Sequence, residues 1–280
     1  MYYNRVTGEF EEEPNENNDK PQTPKFKNEK EKNILQSIKA MLDVSNNTKE
    51  TLLKDFFDMN ANDSIEELIT LKSALRNLVK RLKLYEDIQL ENAQLIVDMF
   101  IAENLGNNNN DYEPYYHIVE EVIYNLTYKE LWDETDIKMA AMVCGHTIDF
   151  KSMKPFIERA LIETKKKKDI GSELAIYTNS MMRLTTIKYI EIDNRPIEKD
   201  TKLEEVTELF IFYLDNSNKI CEEHNYQGSK ARILVREGIF LKNTEKINSG
   251  LKTLLEMGRE DIVNNLKQEI KDLFNIEEEE

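Results

Sequence analysis

From about residue 30 to residue 274, apolar side chains recur every three to four positions, interrupted only by brief polar breaks. That spacing lines one face of an α-helix, so the chain has many helical stripes to bury against one another. Only 8 Gly and 6 Pro are present, too few for a sheet-rich fold built on tight turns. The expected fold class is all-α: either a multi-helix bundle or a degenerate helical-hairpin (TPR-like) array, with disordered acidic ends.

The ends differ from the middle. Residues 1–28 carry three of the prolines, Pro14, Pro21 and Pro24, among Glu, Asn and Lys. So few apolar groups do not offset the entropy of ordering the segment, which reads as an acidic disordered tail or one that folds on a partner. Residues 276–280 read as a second acidic tail. The formal net charge of -16 repels nucleic acid and anionic membrane at long range, so either partner requires a local basic patch. Cys144 and Cys221 lie far apart and form no CxxC, which fits a reducing compartment and two buried apolar thiols. The first ten residues lack the apolar core of a signal peptide, and runs such as Leu209–Leu214 are too short to span a bilayer. The expected location is cytoplasmic, without membrane association.

Between the tails we read an N-terminal helical region over 29–106, a central one over 111–192, and C-terminal helical hairpins over 201–275. Ile34, Leu35, Ile38, Met41 and Leu42 predict one helix, and Leu52, Leu53, Phe56 and Phe57 a second. Ser64 and Glu67 form a capping box for a helix expected to reach Tyr85. Its Leu68, Leu71, Leu75, Leu78, Leu82 and Tyr85 make a seam of a/d type, to be covered either within the chain or by a second chain. A helix from Ile88 to Asn104 is expected to end at a left-handed Gly106, followed by a polar loop at 107–111. Further helices are expected at 113–125, 128–132, 135–148, 151–167 and 170–192, with a second capping box at Thr127 and Glu130. The Pro196-containing loop over 193–200 is the best internal boundary, and Thr201 with Glu204 is a third box. Helices over 202–224, 228–242, 245–257 and 259–274 complete the chain. Neighbouring helix starts lie mostly about 14–19 residues apart, a rhythm compatible with hairpin repeats as well as with an irregular bundle. The tetratricopeptide consensus is absent in register, and Trp132 stands alone at the end of a short helix.

Chemistry is sparse. The closest glycines are Gly250 and Gly258, so no phosphate-cradling Walker A or dinucleotide loop exists. Histidines are limited to His117, His146 and His224, none in HExxH and none three residues after a Glu. His117 with Glu113, Glu120 and Glu121 reads as a solvated acidic face. Cys144 and His146, two positions apart on a helix, point to different sides. We therefore expect no catalytic, cofactor or metal site. Tyr112, Tyr115, Tyr116, Tyr124, Tyr128 and Trp132, with Phe210, Phe212 and Tyr213, read as core, any exposed ones being natural anchors for a partner. The remaining candidate is basic: Lys72, Arg76, Lys80 and Lys83 fall within about 80° of one another on the Ser64 helix. The expected function is a non-enzymatic scaffold or regulator that binds a protein or peptide. The alternative is a nucleic-acid-associated component of a replication or transcription assembly using the Lys72–Lys83 face.

Overall fold

The computed structural model describes residues 2–4, 9–11, 49–57, 64–109, 112–147, 149–192 and 198–274. Helix α1 spans Lys49–Phe57, α2 Ile65–Leu82, α3 Ile88–Asn109 and α4 Glu113–Tyr128. Next come α5 at Glu134–Val143, α6 at Phe150–Lys167, and α7 at Ile170–Thr186, which continues as a π-helical turn over Ile187–Glu191. The chain closes with α8 at Leu203–His224, α9 at Gln227–Leu241, α10 at Thr244–Glu256 and α11 at Glu260–Phe274. The fold is all-α. Within the span expected to be disordered, Tyr2–Asn4 pairs antiparallel with Glu9–Glu11 as a small hairpin. The remainder of 1–28, the expected helix at Ile34–Leu42, most of the expected boundary around Pro196 and the acidic run Glu277–Glu280 lie outside the described residues.

Local chemistry explains the helix starts. The Ser64 box forms as expected: its hydroxyl accepts from the Glu67 N–H, and the Glu67 carboxylate accepts from the Ser64 N–H at 2.9 Å. The Thr127–Glu130 box and the short helix at 128–132 do not form. Helix α4 runs on to Tyr128, and Trp132 folds back into the core, its indole N–H donating to the Leu126 carbonyl at 2.8 Å. The cap for α5 is instead Asp133, paired reciprocally with Asp136. Thr201 is no cap either, because its hydroxyl donates to buried Glu198, whose other oxygen accepts from Phe150 N–H at the start of α6.

Helix ends depart further from expectation. α2 stops at Leu82 because Lys83 takes a left-handed φ of 57° and turns its N–H back to Val79, so Tyr85 is off the helix. α3 passes through Gly106, which is buried, so packing overrides the weak helix propensity of glycine. α5 ends at Val143.

Every extensive helix–helix contact among the described residues joins elements one or two apart in sequence. From α2 onward consecutive helices pair as hairpins, α9 with α10 and α3 with α4 most closely. Next-neighbour contacts link α1, α3, α5, α7 and α9 into one continuous layer, and α4 with α6 in the other. That is the contact pattern of a helical-hairpin array. A single core runs from Leu53 in α1 to Phe240 in α9, so it spans all three regions read from the sequence. A smaller second core lies among α9, α10 and α11, and α9 serves both: Ile233 and Phe240 face the first, Ala231, Val235 and Ile239 the second.

The α2 seam is covered within the chain. Leu68, Leu75 and Leu78 are buried in the main core and Leu71 packs against it, whereas Leu82 and Tyr85 are exposed. No helix among the described residues is long and apolar enough to cross a membrane.

Candidate partner-binding face

The layer of odd-numbered helices leaves one face open. α7 is buried around most of its circumference, yet Ala175, Asn179, Met182 and Thr186 stay partly exposed at intervals of four, three and four residues, followed by exposed Ile190. On α5 the corresponding stripe is Lys138, Met142 and Gly145, the last just past the helix end. On α9 the stripe of Lys230, Leu234, Glu237 and Leu241 lies instead toward the even layer, Lys230 pairing with Glu222 of α8 at 3.2 Å and Glu237 with Lys246 of α10. Each spacing is that of a single helical face.

The α5 and α7 stripes lie side by side. Asn179 Nδ2 donates to the Ala141 carbonyl on α5 at 2.8 Å, and a Cβ on Gly145 would stand 2.7 Å from Met182 Cε. The end of the Met182 side chain thus lies directly over Gly145, between α5 and α7. On the other side, Lys188 Nζ and the Tyr189 hydroxyl both donate to the Phe240 carbonyl, at 2.8 and 2.6 Å, tying the π turn to the last turn of α9. Lys188 Nζ also stands 3.9 Å from the Phe240 ring centroid, where the ring's negative face attracts it. Burial, and secondarily Lys242, lower the Lys188 pKa. The face thus carries mostly small, polar and apolar side chains, methionine among them, with no assembled acid–base or nucleophilic group. Partly exposed methionines suit a surface that adapts to an apolar ligand.

The sequence-predicted basic face is placed differently. Lys72 is largely enclosed and forms an ion pair with Asp98 of α3 at 2.5 Å. Burial raises the Asp98 pKa, opposed by Lys72 and by the nearby Arg76 charge. Lys72 and Arg76 thus serve the α2–α3 contact, while Lys80 and Lys83 are exposed at the end of the helix. The four do not present one free surface.

The structure also places the other sequence candidates. Cys144 is fully buried and burial pushes its thiol pKa far up, so it is a core residue. His146 makes its contacts elsewhere, with Nδ1 3.0 Å from the Tyr115 hydroxyl and 3.7 Å from Glu103. His117 lies 3.6 Å from Glu113 and 3.8 Å from Glu120, all three exposed. No group of three or more His, Cys, Asp or Glu suited to a metal ion occurs among the described residues. Of the aromatics, Tyr115, Trp132, Phe210 and Tyr213 are buried, but Tyr124, Tyr128 and Phe212 are exposed. The rings of Tyr124 and Tyr128 meet at 4.4 Å on α4, in the opposite layer.

Sequence reasoning misses the open stripes. They contain no strong motif, and their only signal is the gap they leave in otherwise buried helices. No protein-family model, curated protein or solved structure matches this chain.

Proposed function

We propose that this protein is a non-enzymatic helical scaffold or regulator that holds a peptide segment of another protein across the α5–α7 face. The observation that carries the reading is the pair of adjacent stripes on α5 and α7, partly exposed on helices that are otherwise largely buried. Adjacent helices stand about 8–10 Å apart, so the two stripes border a groove of about that width, which suits one helix or an extended peptide. The layers also differ: among the described residues the odd helices touch in unbroken succession, while the even ones are in extensive contact only at α4–α6. In a helical-hairpin array the more closely spaced layer lines the inner surface, where a ligand is contacted by several repeats at once, which favours the α5–α7 stripes as the binding face.

The test is affinity purification of the intact chain beside a Met182→Glu, Thr186→Glu variant whose circular dichroism matches the parent. A stoichiometric protein should accompany the parent and be lost, at least about tenfold, from the variant, as expected for charges placed in an apolar contact. A partner retained by that variant but lost on Tyr124→Ser would move the site to α4 and overturn the assignment.

A further inference from the structure

Two lysines stand together where α7, α9 and α11 converge. Lys188 Nζ, on the π turn, and Lys242 Nζ, just past α9, lie 4.9 and 4.7 Å from the centre of the Tyr189 ring. Lys188 is half-buried, donates to the Phe240 carbonyl and sits against the Phe240 ring. Lys242 is exposed and lies 5.3 Å from the ring centre of Phe274, the last residue of α11. The Tyr189 and Phe274 rings meet edge to face at 5.4 Å, which closes the cluster. Among the described residues neither ammonium has a carboxylate partner, and the charge that acts on Lys188 is that of Lys242.

The chain itself carries the complementary charge close by. The acidic run Glu277–Glu280 begins three residues beyond Phe274. Three extended residues span at most about 10–11 Å, so the position of Phe274 delivers the run to the two lysines. A tether that short keeps the carboxylates at an effective concentration of about millimolar or more. A single exposed ion pair contributes little, but here four successive carboxylates address two cations, one of them half-buried against aromatic rings. Two ammoniums beside one ring repel each other, and a carboxylate between them removes that repulsion.

We propose that Glu277–Glu280 dock on Lys188 and Lys242 and so latch α11 to the π turn of α7. The latch adds to the second core a contact that salt weakens. It is independent of the α5–α7 face and stands whether or not that face binds a peptide.

The experiment is zero-length crosslinking of the full chain with a water-soluble carbodiimide, which joins a carboxylate to an amine only where the two touch, followed by peptide mapping. Lys271, exposed on α11 and nearer to the run in sequence than either lysine of the pair, is the internal control. Crosslinks from Glu277–Glu280 to Lys188 and Lys242 should exceed those to Lys271 about threefold or more, and fall to parity in about 1 M sodium chloride. A variant carrying Glu277→Gln, Glu278→Gln, Glu279→Gln and Glu280→Gln changes only residues beyond the last helix and keeps the fold. Its α11 backbone amides should exchange with deuterium about threefold faster than those of the parent. Crosslinks to Lys271 that equal or exceed those to the pair, or α11 exchange that is unchanged in the variant, overturn the proposal. Crosslinks that join isotopically labelled to unlabelled chains in a mixture assign the run to a second copy and overturn it equally.

Discussion

At the scale of single residues, α9 and α10 come together through two glycines. A Cβ on Gly250 would stand 2.5 Å from Val235 Cγ2 and 2.7 Å from the Ala231 carbonyl, and one on Gly238 would stand 2.8 Å from the Ile247 backbone nitrogen. Backbone cannot move aside as a flexible side-chain end does, so a methyl group forces the helices apart. Gly250→Ala should therefore cost about 1–3 kcal/mol, the range for overpacking a close contact. Gly171 is the matching control, since it is exposed near the start of α7 and a Cβ there meets nothing closer than 3.6 Å. Gly171→Ala should be neutral or stabilising by about 0.5 kcal/mol through helix propensity alone. Urea midpoints measured at constant m-value separate the two, and a Gly250→Ala midpoint equal to that of the parent contradicts the close approach.

At the scale of elements, the π turn that ends α7 is held by a buried pair. Arg183 Nη2 donates to Glu191 at 2.7 Å, and Arg183 Nε donates to the Thr147 carbonyl that follows α5. Both side chains are nearly fully enclosed, so removing one leaves a desolvated charge. Glu191→Ala should cost about 3–5 kcal/mol, whereas Arg183→Met combined with Glu191→Leu should cost only about 1–3 kcal/mol, chiefly for the Thr147 carbonyl left without its donor. Chemical denaturation of the two variants decides it: a Glu191→Ala loss below about 1 kcal/mol contradicts the pair's role. Such a turn is not legible in the sequence, because a π turn is set by what the next helix demands of the chain. What is legible is local. The Ser64–Glu67 box and the Leu68–Leu78 part of the α2 seam are fixed by residues three and four apart, and the structure has them where the sequence puts them. Glycine is a poor guide to the helix ends, since Lys83, Lys168, Asn225 and Lys242 all take the left-handed turn at a cost that tertiary packing must overcome. The basic stripe on α2 is visible as charge, but nothing in the sequence says that Asp98 consumes Lys72, because that depends on how α3 packs. The open stripes on α5 and α7 are hidden for the same reason: they are defined by which neighbours cover each helix.

At the scale of the molecule, stability is set by nearest-neighbour interfaces and is unequal along the chain. The main core joins α1 to α9, and Phe210 and Phe240, stacked with ring centroids 3.7 Å apart, close its C-terminal end. Beyond α9, helices α10 and α11 depend on the small second core, on the Arg236–Glu269 pair and on Lys242, which reaches the Phe274 ring at 5.3 Å. They can open without exposing the main core. α9 cannot, because Ile233 and Phe240 belong to it. Native-state hydrogen exchange should show the amides of α10 and α11 opening together, at a free energy roughly 2 kcal/mol or more below those of α5 to α8, with α9 grouped with the latter. Urea should lower the opening energy of both groups, with a smaller slope for α10 and α11 because less surface is exposed. Equal opening energies from α5 through α11 would mean that the two cores melt as one, and that the array behaves as a single cooperative unit instead of a stack with a weaker end.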